Sequence, residues 1–394
     1  MEVSKLSEKR TPYYLYDLEL LEKTLQCIRL EAGKHANFHV HYAIKANANP
    51  LILNVVRKYG FGIDCVSGGE IERCLSAGFN GSQIVFAGVA KSDEEIKLGL
   101  KNNIFSFNVE SMEELTVIDE IAEQLGVKAN VCLRINPDID AHTHANITTG
   151  RAENKFGLSK IETVDLIAKT MGLKHVTFRG LHFHIGSQIL EMGDFKSLCN
   201  EINELQDKIE SAGYHLEIIN VGGGLGIDYV NPNTNPIPDF HAYFSTFADN
   251  LKVRDGQEVH FELGRSIVGQ CGTLITKALY VKKGSVKQFV MVDAGMTDLI
   301  RPALYDAYHK IENLSVMQNV RLSDQPIGVA DTDVYDVVGP ICESSDIFVK
   351  NYEMPITSRG DILAIRSAGA YGEAMACTYN CRTLPKSYTL ADMS

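Results

Sequence analysis

From about residue 36 to residue 270 the chain alternates short β-branched apolar runs with amphipathic stretches, and this alternation restricts the fold more than any other feature. Eight strands are expected, at His39–Lys45, Gly62–Ser67, Gln83–Ala87, Ile104–Val109, Ala129–Ile135, Thr177–His184, Glu217–Val221 and Glu258–Leu263. Between them lie helical patterns such as Met112–Leu125 and Phe195–Ala212, with apolar residues recurring at three and four. Gly126 and Gly213 stand where left-handed C-terminal caps of these two helices belong. Successive βα units predict a closed (β/α)8 TIM-type barrel. A doubly wound open sheet would need its dinucleotide fingerprint after the first strand, and none is there. The glycine cluster Gly222-Gly223-Gly224-Leu225-Gly226-Ile227 follows the seventh strand instead and lacks the third glycine.

Beyond residue 270 the period shortens. Alternating runs at Thr273–Val281, Gln288–Val292, Val334–Val338 and Asp361–Ile365 predict an antiparallel β domain. Tyr13–Tyr16 reads as one more strand that joins it, making the barrel an insertion. The expected organisation is 1–30 as an N-terminal strand and helix joining the β domain, 31–270 as the barrel and 271–394 as the C-terminal β domain. Asn231–Pro238 is a surface loop, and no repeat or low-complexity tract is present.

A formal charge of −12 excludes a polyanionic partner such as nucleic acid, which needs a basic surface. Nine cysteines without a C-x-x-C pair indicate neither a disulfide framework nor a zinc ribbon. Cys27, Cys74 and Cys199 read as packed or surface thiols. The polar first ten residues contain no export signal and no run is apolar enough to span a bilayer, so a cytoplasmic protein with no membrane partner is expected.

Polar residues at the C-terminal ends of barrel strands carry chemistry, because the interior is otherwise filled by branched apolar side chains. Lys45 closes the first strand and Asp64 the second. Arg134 lies on the fifth, His182 and His184 on the sixth, the glycine triplet after the seventh, and Glu262 and Arg265 at the eighth. Singly, each has a plain explanation: a lysine is usually solvated, and a strand histidine is usually a hydrogen-bonded core residue. Lys45 follows an apolar strand into a desolvated mouth, where its amine becomes nucleophilic enough for a Schiff base. Gly222, Gly223 and Gly224 by themselves read as a flexible turn. Beside a lysine, in the loop where barrels commonly bind phosphate, they suggest pyridoxal 5'-phosphate. Glu262 on a strand needs a cationic or protonated partner, and a pyridinium nitrogen is one.

These segments resemble the alanine-racemase-fold, fold type III pyridoxal-phosphate decarboxylases, a family that includes ornithine, arginine and diaminopimelate enzymes. Tyr42-Ala43-Ile44-Lys45-Ala46-Asn47 resembles the cofactor-lysine motif, and Asp64-Cys65-Val66-Ser67-Gly68-Gly69-Glu70 the second-strand motif. His182-Phe183-His184-Ile185-Gly186-Ser187-Gln188 is similar to the segment whose second histidine stacks on the cofactor ring and whose serine holds its phosphate. Glu262-Leu263-Gly264-Arg265 resembles the motif supplying the pyridinium carboxylate and a phosphate-side or substrate contact. Asp293 to Tyr305, Gly339-Pro340-Ile341-Cys342-Glu343-Ser344, and Gly369-Ala370-Tyr371-Gly372 with Tyr379-Asn380-x-Arg382 are similar to the diaminopimelate branch. His144 to Gly150 and Lys155-Phe156-Gly157 add to the likeness. Leu263, Ser345 and Thr383 depart from the pattern without removing a reacting group.

The resemblance implies a carboxy-lyase that converts meso-2,6-diaminopimelate to L-lysine and CO2, the last step of lysine biosynthesis. It assigns reprotonation to Cys342 from the other subunit of a homodimer with shared active sites. Arg265, Arg301, Tyr305, Glu343 and Tyr371 would contact substrate, and Gly264 and Tyr371 the cofactor. The substrate's distal carboxylate and ammonium suit Arg301 and Glu343 together. Carboxynorspermidine, ornithine and arginine are the alternative substrates. A different class, a metal-dependent barrel hydrolase, would use the pairs His39-x-His41, His142-x-His144 and His182-x-His184, but it has no role for Lys45 or the triplet. A catalytically dead homologue that binds a partner protein is disfavoured by the retention of Lys45, Glu262 and Cys342.

Overall fold

A computed structural model describes residues 3–138, 155–322 and 331–393. The chain divides into two compact units, one of Lys23–Gly226 with Pro238–Ile267, the other of Met1–Glu22, Ile227–Ile237 and Val268–Ser394. Residues 23–30 therefore pack with the barrel, and the Asn/Pro-rich loop after the seventh barrel strand packs with the β unit.

In chain order the strands begin with β1 (Tyr13–Tyr16), β2 (Phe38–Ala43), β3 (Gly62–Cys65), β4 (Ile84–Phe86), β5 (Ser106–Val109) and β6 (Ala129–Asn136). They continue with β7 (Leu158–Ser159), β8 (Val176–His182), β9 (Ile218–Asn220) and β10 (Glu258–Leu263). Strands β2 to β6 and β8 to β10 pair in parallel and close on themselves through β10 and β2, giving the eight-stranded barrel. All eight strands lie where the sequence pattern puts them. The two-residue β7, an extension of the sheet beside β6, is too short to leave a periodic signal.

Local chemistry sets where the barrel helices start and stop. After β3, β4 and β5 a serine caps the next helix: Ser67, Ser92 and Ser111 accept from the backbone N–H of Glu70, Glu95 and Glu114. Helix Met112–Leu125 ends on Gly126 at φ 66°, and Gly213, at φ 85°, follows helix Met192–Ser211. Alternation along β10 sends Phe261 outward to helix Phe240–Asn250, where its ring lies 5.0 Å from Phe244 and 5.2 Å from Phe247. The same alternation sends Glu258, His260 and Glu262 the other way. Their register partners on β2 include His39 and His41, so this side of the barrel interior is polar where branched apolar packing is the rule.

The second unit contains β1 together with β11 (Gly272–Lys283), β12 (Gln288–Val292), β13 (Ile311–Asn313), β14 (Thr332–Val338), β15 (Ile347–Pro355), β16 (Ile362–Ile365) and β17 (Lys386–Thr389). The order is β13-β16-β11-β12-β14-β15, with β1 antiparallel to β11. The sheet is mainly antiparallel, and β12–β14 and β1–β17 are its parallel pairs. Every residue of β1 is buried, which fits a strand that has partners on both edges. No helix among the described residues is long and apolar enough to cross a membrane.

Gly180 on β8 lies hard against the neighbouring strand: a Cβ there would lie 1.9 Å from the Ile218 carbonyl oxygen of β9. Gly180→Ala is expected to lower stability by about 1–3 kcal/mol, as overpacking does. Gly193, in the first turn of its helix with open space around it, should instead gain about 0.5–1 kcal/mol on replacement by alanine. Unfolding midpoints of the two variants, measured side by side, check the pair of opposite signs.

Candidate active site

Strand β2 ends in a single 3-10 turn, Ile44–Ala46, which lifts Lys45 out of the sheet at the C-terminal rim. Its neighbour β3 brings Asp64 alongside, since Ala43 and Asp64 are register partners. Lys45 Nζ donates to Asp64 Oδ2 at 2.9 Å, while Asp64 itself is fully buried. Burial, followed by the nearby charge of Glu262, raises the Asp64 carboxyl to about 6 against the pull of Lys45.

Glu262 is held from three other strands. His182 at the end of β8 meets Oε2 at 3.0 Å; Asn220 of β9 and Asn108 of β5 donate to Oε1 at 2.7 and 3.2 Å. Burial alone would push this carboxyl up. The charge and hydrogen bond of His182, with Lys45 behind them, outweigh it and hold Glu262 well below the usual carboxylate range. The partner that the sequence demanded for a strand carboxylate is thus His182 with two asparagines. Neither asparagine was legible as a site residue, because a lone Asn on a strand resembles a turn residue.

The glycine triplet proves to be tightly packed. A Cβ on Gly222 would lie 2.3 Å from the Phe183 carbonyl, and one on Gly223 would lie 1.9 Å from that of Glu262. Its amides are already aimed: Gly222 N–H donates to Asn220 Oδ1 at 2.9 Å and Gly223 N–H to His184 Nδ1 at 3.3 Å. His184 therefore accepts through Nδ1, and burial, reinforced by Arg134 and Lys45, holds its imidazole well below the ordinary histidine pKa. Arg265, just past β10, reaches Ser187 Oγ through Nη2 at 3.0 Å and Nε at 3.2 Å. A Cβ on Gly264 would lie 3.1 Å from those of Ala43 and Ala46, so the β10 turn rests against the turn carrying Lys45. Leu263 is fully buried and leaves this arrangement intact.

Lys45, Arg134, Phe156, His182, His184 and Glu262 line one cavity of about 460 Å³. Arg134 Nη1 donates to Glu110 Oε1 at 2.6 Å, and the other Glu110 oxygen accepts from Gly157 N–H at 2.8 Å. His182, which lines this cavity, has its buried Nδ1 without a hydrogen-bond partner, as have Asp64 Oδ1 beside Lys45 and Asn108 Oδ1 beside Glu262. An amine, an ionised carboxylate, a neutral imidazole and a glycine-serine-arginine corner at one rim fit a phosphorylated pyridine aldehyde. His142 and His144 lie outside the described residues.

The remaining predicted residues belong to the β unit. Arg301, buried at the start of helix Arg301–Tyr305, donates through Nε to His309 Nε2 at 3.2 Å and lies over the Tyr229 and Tyr305 rings. Glu343 accepts from Tyr379 O–H at 2.8 Å, and Cys342 is exposed, its N–H on Asn380 Oδ1 at 3.1 Å. Asp346, which sequence reasoning missed, shapes this loop: its carboxylate accepts from Met296 N–H at 2.6 Å and Ile341 N–H at 2.7 Å. Tyr371 adopts φ 55°, an uncommon conformation for a tyrosine, next to Gly372.

Comparisons with known proteins identify the family. The family model described as "Pyridoxal-dependent decarboxylase, pyridoxal binding domain" matches residues 21–269. The chain is 57% identical to the diaminopimelate decarboxylase of Bacteroides thetaiotaomicron, over 98% of this chain and 97% of that protein. It is 42% identical to a Helicobacter pylori diaminopimelate decarboxylase, over 97% of this chain and 90% of the other. The crystal structure of the Helicobacter pylori enzyme complexed with L-lysine superposes with a TM-score of 0.90 at 38% identity, covering 98% of this chain and 94% of that one. With its Lys45–Asp64 pair and its buried Glu262 at one barrel rim, the chain belongs to the diaminopimelate decarboxylase family of pyridoxal-dependent decarboxylases.

Proposed function

We propose that this protein decarboxylates meso-2,6-diaminopimelate to L-lysine and CO2 with pyridoxal 5'-phosphate bound at the barrel rim. The observation that carries the reading is Glu262, an ionised carboxylate fixed by His182, Asn220 and Asn108 in the cavity that also receives Lys45. When bound, the cofactor supplies a conjugated electron sink for the bond that loses CO2.

Lys45 is the amine that anchors the aldehyde carbon. Asp64, hydrogen-bonded to its Nζ, positions it; its carboxyl, raised to about 6 by burial, stays mostly ionised at neutral pH. Glu262 would hold the pyridine nitrogen through its fixed negative charge and favour the protonated form of that nitrogen. His184, neutral and oriented by the Gly223 amide, offers a flat face for stacking. Ser187, Gly222, Gly223, Gly224, Gly264 and Arg265 form the anion corner, and Tyr371 completes it. Arg301 and Tyr305 grip the distal carboxylate and Glu343 the distal ammonium, so the two distal charges of the substrate are met by opposite charges. Cys342 delivers the proton to Cα. Its exposure, and that of Glu343, suits residues that complete the site of a second copy in a homodimer. A protein that acts on this metabolite fits the cytoplasm.

CO2 release from the cofactor-loaded protein, with meso-diaminopimelate, carboxynorspermidine, ornithine, arginine and lysine assayed in parallel, tests the substrate. Release from diaminopimelate with lysine as product is expected; release from another amine alone would overturn the roles of Arg301 and Glu343. Glu343→Gln should raise KM for diaminopimelate roughly 10- to 100-fold, the loss of a charge-assisted hydrogen bond, with cofactor content unchanged. Borohydride reduction followed by peptide mapping should place the cofactor mass on Lys45. In Lys45→Ala both the trapped peptide and turnover should vanish, and trapping on another lysine would refute the anchor.

A further inference from the structure

The barrel's N-terminal rim holds a second cluster that the decarboxylation site does not use. Glu258, the first residue of β10, and His39 of β2 lie at this rim, and His260 is the register partner of His39. Glu258 is about 13 Å along the strand from Glu262, and His260 with its partner His39 about 7 Å, on the side of the barrel away from the decarboxylation site. His39 Nε2 is 3.8 Å from Glu258 Oε1, and His260 Nε2 is 3.1 Å from Glu258 Oε2. One ligand atom from each of the three lies within 4.8 Å of the others, and no other such group occurs among the described residues.

We propose that His39, Glu258 and His260 bind a divalent zinc-class ion that joins the first and last strands of the barrel at its closing seam. Two imidazoles and a carboxylate are a known zinc ligand set, and tetrahedral coordination needs the ligand atoms about 3.3 Å apart. The ligand atoms lie within 4.8 Å of one another, and rotation of the His39 ring, whose side chain is 44% exposed, closes the difference. Exposure of His39 and Glu258 leaves the fourth position to water and gives the ion its access.

The buried ring behind the cluster supplies a second, independent reason. His41 Nε2 lies 2.7 Å from His260 Nδ1, and the Gln83 backbone adjoins His41; a Cβ built on Gly62 would meet both the His41 ring and the Gln83 carbonyl oxygen. Without an ion and with both rings neutral, His260 donates from Nε2 to Glu258, so His41 donates from Nε2 to His260. This leaves His41 Nδ1 bare beside a carbonyl oxygen, a buried nitrogen with no hydrogen bond. An ion on His260 Nε2 reverses both tautomers. His260 Nδ1–H then donates to His41, and His41 Nδ1–H faces Gln83, the outer-shell relay that orients metal-binding histidines. Arg179, whose charge also acts on Glu258, donates to Glu217 at 2.5 Å.

Titrating the dialysed, cofactor-loaded protein with Zn2+ alone tests this. One site per chain is expected, weakened about tenfold or more in His39→Ala and in Glu258→Gln, and a rise of the unfolding midpoint with Zn2+ that both variants lose. The substituted side chains are partly exposed, so the variants should fold, and unfolding without Zn2+ verifies that they do. Equal Zn2+ binding by the wild type and the double variant, assigning the ion to exposed thiols such as Cys377 and Cys381, or no binding at all, overturns the proposal.

Discussion

An ionised carboxylate buried inside a barrel is the constraint around which this structure is organised. Leaving Glu262 charged and unpaired would cost several kcal/mol or more, enough to consume a large share of a domain's net stability. The fold answers with donors from three strands, β5, β8 and β9, that converge on the two oxygens. That convergence requires a closed parallel barrel, because strands distant in sequence must point side chains at one interior spot. It also explains the packing of the glycine triplet: Asn220, which holds Glu262, simultaneously accepts from the Gly222 amide. Charge at the strand end and the path of the anion loop are therefore set by one asparagine.

Much of this was legible in the sequence. The eight barrel strands are apolar runs separated by amphipathic helices, so periodicity and glycine stops point the same way, while the caps at Ser67, Ser92 and Ser111 emerge from the structure. Lys45, Asp64, His182, His184 and Glu262 were legible as a set because each is a polar residue at a strand end, and the structure brings four of them to one cavity with Asp64 bonded to Lys45. Asn108 and Asn220 were not, since their value lies in pointing at a residue far along the chain. In the β unit, β13 and β17 are too short, and β15 too interrupted by Lys350, Asn351 and Glu353, to show alternation. The two parallel pairs there arise from long-range connections that local pattern does not encode.

The polar interior continues beyond the site. Glu258, His260 and Glu262 on β10 face His39 and His41 on β2, forming a column of titratable side chains from rim to rim where other barrels place branched apolar residues. Pairing is what stabilises such a column, which is why His41 and His260 contact each other and Glu262 is met by three neighbouring side chains. In the β unit Asp346 performs a comparable task, using two backbone amides to fix the loop that displays Cys342 and Glu343. In both units the reactive groups sit on backbone that neighbouring buried polar side chains define.

The central claim is that Glu262 is a permanent negative charge directed at the cofactor's ring nitrogen. The 15N chemical shift of ring-labelled pyridoxal phosphate bound to the protein reads the protonation of that nitrogen directly. A protonated nitrogen at neutral pH in the wild type, becoming unprotonated in Glu262→Gln, is what the hydrogen-bond network predicts. An unprotonated nitrogen in the wild type, or the same shift in both proteins, would contradict it.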